Sequence, residues 1–169
     1  PRGRRIASLL GVETEYAFRY SGAGERPTRA RLYEALLDGL SAEVTLVRAR
    51  PDGADWEGKE RRFASNGMSV CLERGGLIGD LGVFEVATPE CEGPEALGIR
   101  LRAIDEQLVR ACDRASERLA HGGFDGRVAL VKNSRDAEGA YFGRQENLEV
   151  EMVTGWRKLL WWMGLALCL

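Results

Sequence analysis

Carboxylates set inside apolar, strand-like stretches are the residues of this chain most able to do chemistry. Glu85 lies in Val83 to Glu92, VFEVATPECE, where alternating side chains give two faces at a period of two. A charge buried in such a strand costs several kcal/mol unless it is compensated. It needs an arginine, a metal ion or a proton. Glu13 and Glu15 lie in Ile6 to Phe18, IASLLGVETEYAF. Two residues apart in a strand, they share a face, with Val12 and Thr14 on the other. Side by side they repel unless a cation sits between or beside them. Such a face is either solvent-exposed and paired with lysine or arginine, or it binds a metal. A third strand-like stretch, Ala140 to Met152, carries Glu146. If these strands are neighbours, Glu13, Glu85 and Glu146 converge on one sheet face. Such a face suits Mg²⁺, a hard ion that takes oxygen ligands and completes its shell with substrate phosphates. Phosphoryl transfer proceeds there by positioning and charge neutralisation.

The elements that position these groups follow from periodicity. Leu32, Leu36, Leu37 and Leu40 mark a helix over Pro27 to Leu40, ended by Gly39 and Ser41. Pro51 to Gly58 reads as a polar loop. Lys59 to Ala64 and Met68 to Glu73 read as strands joined by a turn at Ser65, Asn66 and Gly67. A second turn at Gly75 and Gly76 leads into the Glu85 strand, whose ladder Pro89 should stop because it has no amide hydrogen. Leu101, Ile104, Leu108, Ala111, Ala115 and Leu119 form one stripe of a long helix from Glu95 to His121, with Pro94 in its first turn. His121 precedes two glycines and reads as a helix C-terminus, not as a ligand. Arg127 to Lys132 is a further strand, Asn133 to Gly139 a turn, and Gly155 to Leu169 the start of an apolar helix. The order predicts an α+β fold: an antiparallel sheet with helices packed on one face.

Composition narrows the function classes. The chain has 169 residues, 44% hydrophobic and 30% charged, with a net charge of -2. It is long enough for a real core and too neutral for a nucleic-acid surface. Cys71, Cys91, Cys112 and Cys168 form no CxxC pair, so the expectation is reduced thiols in a cytoplasmic protein. No signal sequence is recognisable, and the apolar run from Leu159 is too short for a bilayer, which needs about 20 residues. The lack of an initial methionine and the apolar end suggest that residues 1–169 are the N-terminal part of a single, truncated catalytic domain. Walker, nucleophile-elbow and HExxH patterns are absent, so a nucleotide site would have to be built on the sheet.

Three segments, in order, resemble the Pup ligase and Pup deamidase/depupylase family, the proteasome accessory factors whose catalytic domain is similar to glutamine synthetase. GVETEY at Gly11 to Tyr16 resembles the family's opening strand. EVATPEC at Glu85 to Cys91 resembles its metal-binding strand, and KNSRDAEGAYFGRQEN at Lys132 to Asn147 a later segment. The resemblance implies ATP and Mg²⁺ as cofactors. It implies a Pup-like modifier and protein lysines as partners, with isopeptide formation or cleavage as the reaction. Glu13, Glu85 and Glu146 would be on the metal side, and Thr88 and Glu15 on the nucleotide side. Glu73 or Asp80 would be the catalytic base. The chain departs from the family pattern where Ser69 stands for an arginine, Cys71 for a tyrosine and Glu73 for an aspartate. It departs again where Gln145 stands for a histidine. A small-molecule amine as acceptor, or a non-catalytic binding relative, are the alternative readings.

Overall fold

One long strand, β1 (Leu9–Gly22), is the spine of the sheet. Its buried residues alternate strictly from Leu10 through Val12 and Thr14 to Tyr16, so one face turns inward while Glu13 and Glu15 share the other. The computed structural model describes residues 9–48, 60–73, 83–132 and 144–149. Within them the order is β1, α1 (Arg29–Ser41), β2 (Leu46–Arg48), β3 (Glu60–Ala64), β4 (Ser69–Glu73), β5 (Val83–Ala87) and β6 (Cys91–Glu92). Then follow α2 (Gly93–His121), β7 (Gly126–Val131) and β8 (Arg144–Glu149). All pairings are antiparallel. The path runs β2-β3-β4-β5-β1-β6, with β7 and β8 also paired to β1. The predicted α+β class, with helices on one side of an antiparallel sheet, is what the chain adopts.

The helices form where the spacing predicts. Thr28 caps α1, its hydroxyl accepting the Arg31 amide. Leu32, Leu36, Leu37 and Leu40 are buried, and so is the α2 stripe from Ile104 to Leu119. Both helices meet Tyr16, Val70, Phe84 and Val86 in one core on the inner face of the sheet. Gly39 is required where they cross, because a Cβ there would collide with the Ala111 carbonyl. Outside that crossing, Glu43 receives Arg110 and Arg114 from α2, whose hydrogen bonds hold its carboxyl below the usual range.

Several boundaries differ from expectation for physical reasons. β1 continues past Phe18 to Gly22 because β7 pairs with Ala17 through Gly22. β2 and β6, three and two residues long, escape periodicity because no pattern fits so few positions. The expected loop at Pro51 to Gly58, the turns at Gly75 and at Asn133, and the helix from Gly155 lie outside the described residues. Among those described, no helix is long and apolar enough to cross a membrane, and Cys71, Cys91 and Cys112 are free thiols.

Candidate functional site

The outer face of the sheet carries the carboxylates, and strand register sets them in rows. One row runs Arg61, Cys71, Glu85, Glu15 across β3, β4, β5 and β1. The next runs Phe63, Ser69, Ala87, Glu13 and, on β8, Gln145. Directly opposed residues of antiparallel strands share a face at about 4.5–5.5 Å between Cβ atoms, so each row is a line of potential contacts. Glu13, Glu15 and Glu85 therefore converge, as the spacing predicts. Glu146 does not follow: the register sets it opposite Val12, with Gln145 opposite Glu13. A shift of one residue exchanges the two phases of a strand, so Gln145 and not Glu146 takes the register position opposite Glu13. Glu73 ends β4 opposite Val83, one row beyond Glu85 in the same phase. Asp80 lies outside the described residues.

The turn that fixes this register is tightly held. Asn66 Oδ1 accepts the Met68 amide at 3.1 Å, and its Nδ2 donates to Gln107 of α2 at 3.4 Å. Gly67 has φ +86°, and a Cβ there would come within 2.8 Å of Pro89. The β3–β4 turn is thus seated between α2 and the residue that ends β5. At that end the ladder is completed by a side chain. Thr88 donates its amide to the Val12 carbonyl at 2.9 Å, and its hydroxyl accepts the Val12 amide at 3.0 Å. Thr88, expected on the nucleotide side, is thereby fixed beside Gly11 and Val12, with its hydroxyl hydrogen still able to donate.

Glu85 is 5% exposed, so its charge must be compensated. The partner is an arginine: Arg61 Nη2 lies 2.9 Å from Glu85 Oε1 and 3.7 Å from Glu13 Oε1. The Cys71 thiol donates to the same Glu85 oxygen at 3.2 Å, and Arg61 Nη1 donates to Ser69 Oγ at 3.3 Å. Two carboxylates from adjacent strands thus reach a single cationic nitrogen. That arrangement also suits a hard divalent cation, which uses one or two protein carboxylates and takes its remaining ligands from water and phosphate. Among the described residues, no three of His, Cys, Asp and Glu gather closely enough to hold a metal unaided. Arg61 was missed in the sequence. The signal was there: three residues form the turn, and counting outward from Ala64 and Met68 brings Arg61 opposite Cys71. Nothing local carried the next step, from Cys71 to Glu85.

The opposite side of the sheet holds a different feature, a cavity of about 350 Å³ between α2 and β7. At its wall the Tyr16 hydroxyl donates to Asp105 at 2.9 Å, and Lys132 bonds both Asp105 oxygens at 3.1 Å. Burial, with Asp105 adding to it, raises the Tyr16 pKa well above its ordinary value. Cys112, in the same wall, is pushed up to about 11, mainly by burial. These neutral groups belong to the inner packing, not to the carboxylate face.

The family described as Pup-ligase protein matches residues 8–161. The chain belongs to the Pup-ligase family. Curated relatives agree. The Pup–protein ligase of Arthrobacter sp. (strain FB24) is 32% identical over 82% of this chain and 27% of its own length. That of Corynebacterium urealyticum is 41% identical over 84% of this chain and 25% of its own. That of Micrococcus luteus is 30% identical over 94% of this chain and 30% of its own. The chain therefore spans about a quarter to a third of the length of these relatives. The fold is similar to a chain in the crystal structure of the complex between the prokaryotic ubiquitin-like protein Pup and its ligase PafA. The TM-score is 0.62, with 23% identity, 90% of this chain covered and 27% of that one. That likeness supports the glutamine synthetase-like sheet.

Proposed function

We propose that residues 1–169 form one part of the catalytic domain of an ATP- and Mg²⁺-dependent carboxylate–amine ligase or depupylase, acting in the cytoplasm. Its substrates would be a Pup-like modifier and protein lysines. The observation that carries this reading is the convergence of Glu13 and Glu85 on one cation position, and membership of the Pup-ligase family supports it. Glu13 and Glu85 would hold the magnesium ion, which supplies charge neutralisation for phosphoryl transfer. Glu15, opposite Glu85 in register, and Thr88, at the end of β5, would face the nucleotide. Glu73 or Asp80 would move the proton of the attacking group, and Glu73 stands in phase with Glu85 at the end of β4. Glu146, which the family resemblance also sets on the metal side, lies opposite Val12 in register, next to the Gln145 position opposite Glu13.

Calorimetry of magnesium-dependent ATP binding by the whole protein tests the reading, with Glu85→Gln as the control. Binding that requires magnesium and is lost in a folded Glu85→Gln variant supports it. Binding that persists undiminished in that variant removes Glu85 from the site. A second reading is a non-catalytic relative with a permanently salt-bridged face, and Arg61, which already neutralises Glu85, favours it. Absence of nucleotide binding in the unaltered protein would select that second reading.

A further inference from the structure

The position between Glu13 and Glu85 is ringed by acceptor atoms from three strands. Arg61 Nη2 lies 2.9 Å from Glu85 Oε1, 3.7 Å from Glu13 Oε1 and 4.0 Å from Cys71 Sγ. A magnesium ion bound to those oxygens would stand about 2.0–2.1 Å from each. It could not share the volume with a guanidinium nitrogen, and the two like charges would repel. The two cations are therefore alternatives. The structure also says which partner can move. The Glu85 side chain is 6% exposed and locked in the middle of the sheet, whereas that of Arg61 is 34% exposed and reaches in from β3. The carboxylate stays, and the arginine has solvent to swing into.

We propose that Arg61 is a tethered counter-ion that competes with the divalent cation for Glu13 and Glu85, so that metal binding and Arg61 release are one event. This rests on the metal-binding reading of the face given above. The tether has two effects. It balances the buried Glu85 charge whenever metal is absent, which lets the sheet fold without it. It also lowers the affinity for bare metal by the fraction of time the arginine is away from the carboxylates. Ser69 Oγ, which accepts from Nη1 at 3.3 Å, steadies the closed position from the neighbouring strand.

The test is calorimetric titration of the whole protein with Mn²⁺ and with Mg²⁺, without nucleotide, in the unaltered form and as Arg61→Met and Arg61→Lys. Arg61→Met removes the tethered charge and keeps most of the stem. It should tighten metal binding about tenfold, the factor for an arginine that is away about a tenth of the time. Added guanidinium ion should weaken metal binding to Arg61→Met, and tetramethylammonium at equal ionic strength should not. Arg61→Lys, which keeps a cation without the planar fork, should fall between the two. Equal or weaker metal binding by folded Arg61→Met than by the unaltered protein overturns the proposal and leaves the metal site standing. If neither of them takes up divalent cation while circular dichroism shows both folded, the metal reading itself fails, and the competition with it.

Discussion

Replacing Arg61 by methionine should loosen the centre of the sheet, because Glu85 stays buried after losing the Arg61 guanidinium. Exposed ion pairs contribute roughly 0–1 kcal/mol, and removal of one partner from a buried pair costs roughly 3–5 kcal/mol. The Arg61–Glu85 pair lies between these limits, with side chains 34% and 6% exposed. The Cys71 thiol also remains on Glu85 Oε1 at 3.2 Å, a weak donor that offsets part of the loss. The expected cost is about 2 kcal/mol. If the cause is the unbalanced charge, then adding Glu85→Gln to Arg61→Met should recover about 1 kcal/mol, a coupling that a double-mutant cycle isolates. Native-state amide hydrogen exchange across Val83–Ala87 reads this locally, which matters where global unfolding is not two-state. A loss of about 2 kcal/mol speeds exchange about thirtyfold when opening is at equilibrium. Unchanged exchange in Arg61→Met, or single-change effects that simply add in the double variant, would refute the reasoning.

Two other perturbations probe the strands that flank this pair. Tyr16 has its folded pKa raised by burial and by Asp105, so the folded state keeps a proton that the unfolded chain releases near pH 10. The folded state then binds more protons above about pH 10. The stabilising contribution is complete below that pH and is lost as pH rises through the folded value. Unfolding midpoints of the unaltered protein should therefore fall more steeply between about pH 9 and about pH 11 than those of Tyr16→Phe, and parallel curves would count against it. Thr88→Val leaves the Val12 amide without its acceptor at 3.0 Å, at a cost of about 1–3 kcal/mol. Thr88→Ser should restore most of it, read as hydrogen exchange at the Val12 amide, and unchanged exchange in Thr88→Val would show that the hydroxyl is not the acceptor that matters.

What could be read in the sequence was what is local. The leucine spacing of α1, the stripe of α2 and the alternation of β1 each repeat over several residues, and each was legible. The β3–β4 hairpin was legible from Asn66 and Gly67, because a left-handed residue next to an asparagine that bonds its own backbone leaves few other conformations. What could not be read was pairing across intervening chain. Whether Glu85 would stand opposite Glu15 or one residue along depends on two strands separated by some seventy positions, Glu15 in β1 and Glu85 in β5. The same one-residue freedom separates Gln145 from Glu146. β2 and β6 were invisible for another reason. Two or three residues carry no period, and they form because Ala64 and Leu10 offer them an edge.

Arg61 joins the two halves of the picture. Glu85 could be carried by an arginine, a metal ion or a proton, and the fold supplies the arginine from two strands away. A purely structural ion pair would need only one carboxylate. The second, Glu13, repels Glu85 unless positive charge stands between them, and Arg61 reaches it at 3.7 Å, longer than the 2.9 Å to Glu85. One guanidinium thus serves two carboxylates unequally. That sharing, and not the presence of any single glutamate, is what the proposed divalent ion would take over. It also explains why the measurement that separates the readings is a metal titration with and without Arg61.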